Sequence, residues 1–157
     1  MTEGIDYVLV ENAQTINYAN IMDRIKCVFI GTKNYFFAIP YSITNYANDY
    51  REDMIGKADI KHDGMPLQEY ILNELKNSKM SIQEFEDYII KQGFDSLKIV
   101  NLNTGCQQIK AKASFLSTGL MYNETTERKG WKLFLTNYKH SKHAVKEFYR
   151  NHSKTVD

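Results

Sequence analysis

The chain has 157 residues, with 20 Lys and Arg against 19 Asp and Glu and 43% hydrophobic residues. A chain of this length and apolar content can bury a hydrophobic core without disulfides or metal ions. Intrinsic disorder requires low hydrophobicity and high net charge, so the net charge of +1 excludes disorder of the whole chain. We therefore expect one globular domain over residues 1–157.

The sequence contains no pattern typical of a membrane-spanning helix, a signal peptide or a cysteine metal site, and this bears on the expected compartment and cofactors. Its longest apolar runs, residues 27–30 and 36–39, are far shorter than the ~20 residues of a membrane-spanning helix. The N-terminus is acidic where a signal peptide needs a basic start, and Cys27 and Cys106 have neither CxxC nor zinc-ligand spacing. We expect a cytoplasmic protein with reduced thiols, no membrane partner and no cofactor. Abundant Tyr, Lys, Asn and Ile, whose codons are A/T-rich, point to a bacterial or phage genome.

The first 44 residues predict β-structure. Runs of apolar and β-branched residues predict strands at Tyr7–Val10, Ile25–Ile30 and Tyr35–Tyr41. Gly31–Asn34 separates the last two runs and predicts a hairpin turn between them.

The middle of the chain predicts helices. A short helix is expected where aromatic and Met side chains recur every four residues, at Tyr46, Tyr50 and Met54. Pro66 can open a second helix, whose apolar stripe would be Leu67, Tyr70, Ile71 and Leu75. A third helix would start at the capping box of Ser81 and Glu84 and end at Gly93.

The last third returns to β-structure and ends in a helix. Alternating and apolar segments predict an antiparallel meander of four strands at Leu97–Leu102, Gln107–Leu116, Leu120–Tyr122 and Trp131–Thr136. A final helix near Ser141–Asn151 would bury Val145, Phe148 and Tyr149.

Strands and helices are grouped rather than alternating, which predicts an α+β fold instead of a parallel α/β sheet. We expect an antiparallel twisted sheet or partial barrel, built from the hairpin and the meander, with a central helical pair and a C-terminal helix. This outline is similar to pleckstrin-homology-like folds.

One candidate for chemistry is the group Asp59, His62 and Asp63. A histidine with two carboxylates can act as a general acid and base or help to hold a divalent metal. The same residues, followed by Gly64 and Pro66, are typical of an exposed turn. The turn is the interpretation that we favour.

A second candidate is the group His140, His143 and Glu147. On a helix these residues are spaced i, i+3 and i+7, so they could form a metal-binding face. The HExxH pattern is absent and His140 is expected to precede the helix, so we favour a solvated surface.

The charge distribution is the most informative feature. Residues 45–95 hold 11 acids and 6 bases, a net charge of −5, whereas residues 128–157 hold 8 bases and 2 acids, a net charge of +6. Three basic residues recur every four positions along the last helix and would form a basic stripe: Lys142, Lys146 and Arg150. Lys139 and Lys154 flank this helix, and Trp131 lies upstream. Such a stripe can neutralise phosphates, bind an acidic block of a second copy, or be merely solvated.

Three functions follow, in order of preference. The first is a non-catalytic interaction module that binds a protein or peptide partner through an exposed sheet edge or the groove beside the terminal helix. Self-association as a homodimer belongs to the same class. The second is a nucleic-acid-associated accessory protein that uses Trp131 and the basic stripe. The third, which we favour least, is a small enzyme that uses Asp59, His62 and Asp63 as acid–base residues.

Overall fold

Strands and helices are grouped along the chain as predicted, and the fold is α+β. The computed structural model describes residues 1–17, 20–45, 61–94, 97–103, 106–113, 118–124, 131–135, 138–152 and 154. The strands are β1 (Tyr7–Asn17), β2 (Asn20–Thr32), β3 (Tyr35–Asn45), β4 (Lys61–His62), β5 (Met65–Pro66), β6 (Lys98–Asn101), β7 (Cys106–Ala113), β8 (Thr118–Glu124) and β9 (Trp131–Leu135). The helices are α1 (Leu67–Asn77), α2 (Ile82–Gln92) and α3 (Tyr138–Asn151). The helix predicted around Tyr46, Tyr50 and Met54 falls outside the described residues.

An antiparallel seven-stranded sheet organises the molecule, in the order β6-β3-β2-β1-β9-β8-β7. The predicted hairpin is confirmed: β2 and β3 pair from Gly31↔Phe36 to Asp23↔Asn45. Its turn is shorter than expected, because the strands continue to Thr32 and resume at Tyr35. The Tyr35 N–H donates to Thr32 Oγ1 over 3.1 Å, which closes this turn.

The predicted four-strand meander is wrong in one respect. Strands β7, β8 and β9 form a meander, but β6 pairs with β3, from Tyr35↔Asn101 to Ala38↔Lys98. The turn residues that follow β6 suggested a hairpin with β7. Pairing with β3 instead buries Val100 and Leu102 in the same cluster as Phe36, and this burial outweighs the local turn signal.

The sheet cannot be flat, because β6 and β7 lie at opposite edges although only residues 102–105 connect them. In a flat sheet, six strand spacings would separate the edges by about 29 Å. Five Cα steps reach about 19 Å at most. Helix α3 contacts β1, β8 and β9 and also shares a core with residues of β2, β3 and β6. The sheet therefore curls around α3.

The described parts of β1, β2 and β3 at residues 7–10, 27–32 and 35–40 are largely buried on both faces. Alternate residues turn one way, toward α3, and form a cluster of Val8, Val10, Ala13, Cys27, Phe29, Phe36, Ala38, Val100, Leu102, Val145, Phe148 and Tyr149. The intervening residues turn toward α1 and α2 and form a cluster of Tyr7, Val28, Ile30, Phe37, Ile39, Leu67, Ile71, Leu75, Phe85, Ile89 and Leu97. Burial on both faces explains why residues 27–30 and 36–39 are uninterrupted apolar runs.

Local sequence signals set the ends of α2. Ser81 Oγ accepts a hydrogen bond from the Glu84 N–H over 3.2 Å. Gly93 adopts the left-handed conformation at φ 62° and ψ 42°, and its N–H donates to the Ile90 carbonyl. Both predicted helix ends are confirmed. In the parts of the chain that the structure covers, no helix is both long and apolar enough to cross a bilayer.

Close approach between β2 and α3 requires a glycine at position 31. A Cβ atom on Gly31 would clash with the Tyr149 hydroxyl and would lie 2.8 Å from Val8 Cγ1. Both neighbours are buried in the core on the α3 side, so neither can move freely.

We predict that Gly31→Ala lowers the free energy of unfolding by about 1–3 kcal/mol, because it overpacks this contact. Tyr149→Phe removes the clashing oxygen and should recover part of the loss in the double variant. Urea unfolding of the four proteins measures the coupling. Strictly additive effects of the two substitutions would contradict the proposed contact.

Cys27 is a packing residue of the α3-side core. Its side chain is 1% exposed, and burial raises its pKa to about 12. Thiol reagents attack the thiolate, which is then scarce near neutral pH.

We predict that in a Cys106→Ser background, Cys27 reacts with Ellman's reagent at least about a hundredfold more slowly in the native protein than in urea. The measurement is the absorbance released at about pH 8. Equal rates in the native and unfolded proteins would show that Cys27 is accessible.

Candidate functional site

A cavity of about 350 Å³ lies between the N-terminal segment, β1 and α3. We call it the β1 groove. Its lining residues are Glu3, Gly4, Val8, Leu9, Val10, Ala144, Glu147, Phe148 and Asn151. Its volume falls within the range of small-ligand sites, and it combines apolar walls with a few polar groups, as such sites do.

A tight turn places the N-terminal segment at the rim of the groove. Gly4 has φ +86°, a conformation that favours glycine, and its N–H donates to the Tyr7 carbonyl over 2.8 Å. The Thr2 N–H donates to Asp6 Oδ2 over 2.9 Å. Burial, followed by the carboxylates of Glu3 and Asp6, raises the pKa of Tyr7. The Glu3 carboxylate is thus held close to the start of β1.

One edge of β1 is open beside the groove. Strand β1 pairs with β2 from Tyr7 to Asn17, but with β9 only from Ala13 to Thr15. Among the described residues, no strand pairs with residues 8–11 on the β9 side. The groove lies along this unpaired stretch.

The direction of the open main-chain groups follows from strand geometry. Glu3 forms a parallel bridge with Tyr7, whose carbonyl accepts from Gly4, so the polar groups of Tyr7 point away from β2. Main-chain groups of alternate residues point to the same edge of a strand. The N–H and C=O of Leu9 therefore point to the open edge, while its side chain packs on the α1–α2 side.

The opposite wall is one flank of α3. Ala144, Glu147, Phe148 and Asn151 are spaced i, i+3, i+4 and i+7, which places them on one side of a helix. Phe148 is buried, and its ring packs against those of Tyr149 and His152 at centroid distances of 5.0 and 4.2 Å. The groove can therefore accept an extended backbone at Leu9 together with an apolar or amphipathic side chain.

The predicted basic stripe lies on the other flank of α3. At about 100° per residue, Lys146 and Arg150 lie on the side of Glu147 that is away from Phe148, and Arg150 is exposed while Lys146 is partly buried. Lys139 and Lys142 belong to α3 and Trp131 to β9, but their side chains fall outside the described residues. Neither Lys146 nor Arg150 lines the β1 groove. Nucleic-acid binding by this flank stays a prediction.

Of the second candidate group, Glu147 lines the groove, and His143 lies beside it on the helix surface. Helix α3 begins at Tyr138, so His140 lies within the helix. The prediction that His140 precedes the helix is therefore wrong. His143 Nε2 lies 3.4 Å from Glu147 Oε2, and the two side chains are 81% and 62% exposed. The His140 side chain is not described. Among residues with described side chains, no group of three or more metal-ligating residues is close enough to hold an ion.

His62 lies away from the groove, in a cluster of aromatic rings. Its ring packs on Tyr70 and Phe94 at centroid distances of 4.4 and 5.3 Å, and the hydroxyls of Tyr70 and Tyr88 are hydrogen-bonded to each other. Asp63 Oδ2 is 3.6 Å from His62 Nε2, which is long for a hydrogen bond between these groups. Asp59 lies outside the described residues.

The segment between β4 and β5 is a tight turn. Asp63 and Gly64 have φ angles of 52° and 76°, the left-handed pair that a two-residue hairpin turn uses. Asp63 thus has a structural role in this turn, next to His62, and catalysis by Asp59, His62 and Asp63 stays a prediction.

A polar network at the β2–β3 turn, which begins at the buried Glu86, was not predicted. Glu86 of α2 is 3% exposed, and its Oε2 accepts from Asn34 Nδ2 over 3.1 Å. Asn103 Nδ2 donates to Asn34 Oδ1 over 2.9 Å, and Lys154 Nζ donates to Asn103 Oδ1 over 2.8 Å. This chain of hydrogen bonds joins α2, the hairpin turn, the end of β6 and the segment after α3.

Burial of Glu86 disfavours the charged form of its carboxyl group. Desolvation raises its pKa, hydrogen bonds from Asn34 and Thr32 act in the opposite direction, and Asp87 and Lys33 have smaller effects of opposite sign. The pKa of Glu86 is higher in the folded state than in the unfolded state. Its contribution to stability is therefore fully present at pH values below the unfolded-state pKa, and it is lost as the pH rises through the folded-state pKa.

We predict that Glu86→Gln, which keeps an acceptor for Asn34 but cannot ionise, becomes more stable relative to the natural chain as the pH rises from about 4 to about 8. The expected gain at the upper end is about 1 kcal/mol in the free energy of unfolding. Urea unfolding across this range measures it, with Glu69→Gln at an exposed position as control. A stability difference that does not change with pH would contradict the account.

Comparison with protein-family models, with curated proteins and with solved structures finds no match for this chain. The resemblance to pleckstrin-homology-like folds is therefore not confirmed and stays a prediction. The function must be argued from the site itself.

Proposed function

We propose that the protein is a non-catalytic interaction module that binds an extended segment of a protein partner in the β1 groove. The partner would add a short strand to β1, beside the point where the pairing with β9 ends. Addition of a strand to an open sheet edge is a common way of recognising extended peptides.

The observation that carries the proposal is the unpaired main chain of Leu9 at the edge of a cavity. An exposed N–H and C=O on a strand edge form a template for another strand, and proteins usually cover such edges. Here β9 pairs with β1 only from Ala13 to Thr15, and the uncovered stretch faces the flank of α3 that carries Ala144 and Phe148. Main-chain pairing would give affinity, and the cavity would select a side chain.

The test is selection of random displayed peptides on the purified chain, followed by fluorescence polarisation with the enriched peptides. We predict that Ala144→Trp, which fills the groove, weakens binding by about tenfold or more. Asn151→Trp, at an exposed position on the same flank, should act in the same direction. Ile90→Trp on α2 adds the same side chain at a site that is 40% exposed and outside the groove, and should have no effect.

Two results would contradict the proposal. One is that no peptide is enriched. The other is that enriched peptides bind the natural chain and both groove variants equally well, provided that thermal unfolding shows the variants to be folded. Salt-sensitive binding of a single-stranded oligonucleotide, lost in Arg150→Glu, would in that case favour the nucleic-acid alternative. Self-association blocked by Ala144→Trp would identify a second copy as the partner.

A further inference from the structure

We infer that the β1 groove selects a lysine side chain from the partner segment. This inference rests on the proposed function, because it assigns the side chain that accompanies the strand added to β1. It concerns the chemistry of the groove walls and rim rather than the open edge itself.

The walls of the groove suit the aliphatic part of such a side chain. Val8 and Val10 are 6% and 7% exposed and project from β1 toward α3, where Phe148 is 3% exposed. Ala144 leaves space on the helix side, because it has no side chain beyond Cβ. A four-carbon stem can pack along such a surface while its charged end remains near water.

The rim of the groove supplies the opposite charge. Glu3 approaches from the N-terminal turn and Glu147 from α3, and none of the described lining residues is Lys or Arg. Glu147 Oε2 lies 3.4 Å from His143 Nε2, a neighbour that carries a charge only when it is protonated. The nearby Glu11 of β1 has a permanent cation beside it, since its Oε1 lies 3.8 Å from Lys76 Nζ. The described basic residues of α3, Lys146 and Arg150, occupy the flank away from the groove.

Charge and shape together favour a cation on a long apolar stem. An acidic side chain would meet two carboxylates, which carries an electrostatic penalty. A purely apolar side chain would fill the walls but bring no positive charge to the two carboxylates. The amide of Asn151 and the ring of Phe148 can add a hydrogen bond and a cation–π contact to an ammonium group.

Three synthetic peptides test the inference. They share the sequence acetyl-Thr-Val-X-Val-Thr-amide, with lysine, its uncharged isostere norleucine, or glutamate at X. Binding is followed by nitrogen–proton correlation spectra of the labelled full chain at about pH 8, where ordinary histidine side chains are neutral. We predict that the lysine peptide binds about tenfold more tightly than the norleucine peptide, and that the glutamate peptide binds most weakly.

The double variant Glu3→Gln and Glu147→Gln should reduce the preference for the lysine peptide over the norleucine peptide to about twofold or less. Glu69→Gln, at an exposed position on α1, is the matched control and should have no effect. Added salt should weaken only the lysine peptide.

The outcomes separate the inference from the proposed function. If the norleucine peptide shifts the Leu9 and Ala144 signals and binds as tightly as the lysine peptide, the lysine preference is wrong and the groove remains a peptide site. If the lysine preference survives the double Gln variant, the carboxylates do not cause it and the inference is also wrong. If none of the peptides shifts signals of β1 or α3, both the inference and the proposed function fail.

Discussion

Burial of the β2–β3 hairpin on both faces is the constraint on which the rest of the structure depends. Phe29 and Phe36 face α3, whereas Ile30 and Phe37 face α1 and α2, and all four are at most 1% exposed. Each such side chain contributes roughly 2–3 kcal/mol by leaving water. No polar residue can be tolerated on either face of these segments, so the hairpin must be covered by helices on both sides.

This constraint also determines where a partner can reach the sheet. At their described side chains, β1, β2 and β3 are covered by helices on both faces, and β6 pairs with β3 at Tyr35–Ala38. Strand β1 is different, because β9 pairs only with its residues Ala13 to Thr15. A register shift between Val10 and Ala13 keeps both of these residues on the α3 side and bends the strand at the point where its pairing with β9 begins. The main chain beside Leu9 is therefore an open stretch of strand edge that lies next to a cavity.

Elements with strong local signals were predictable from the sequence. The hairpin of β2 and β3 follows from two apolar runs and a turn, and the ends of α2 follow from Ser81 and Gly93. The position of β6 was not predictable, because turn residues after it favoured β7 while the burial of Val100 against β3 is a tertiary effect. The length of β1 was underestimated for the same reason, since its polar second half is held by pairing with β2 and β9.

The groove could be predicted only in part. The i, i+3, i+4 and i+7 spacing of Ala144, Glu147, Phe148 and Asn151 is visible in the sequence, but nothing there indicates that Glu3 lies opposite. That juxtaposition depends on the left-handed Gly4 and on the end of the pairing with β9. Likewise, a sequence does not reveal that Glu86 is buried, because its partner Asn34 is 52 residues away.

Amide hydrogen exchange of β1 in the free protein tests the central claim most directly. The Val8 N–H points to the edge paired with β2, whereas the Leu9 N–H points to the open edge beside the groove. Exchange followed by nitrogen–proton spectra should therefore show strong protection of Val8 and exchange of Leu9 at least about a hundredfold faster. Equal protection of Leu9 and Val8 would mean that another part of the chain already covers this edge, and would contradict the account.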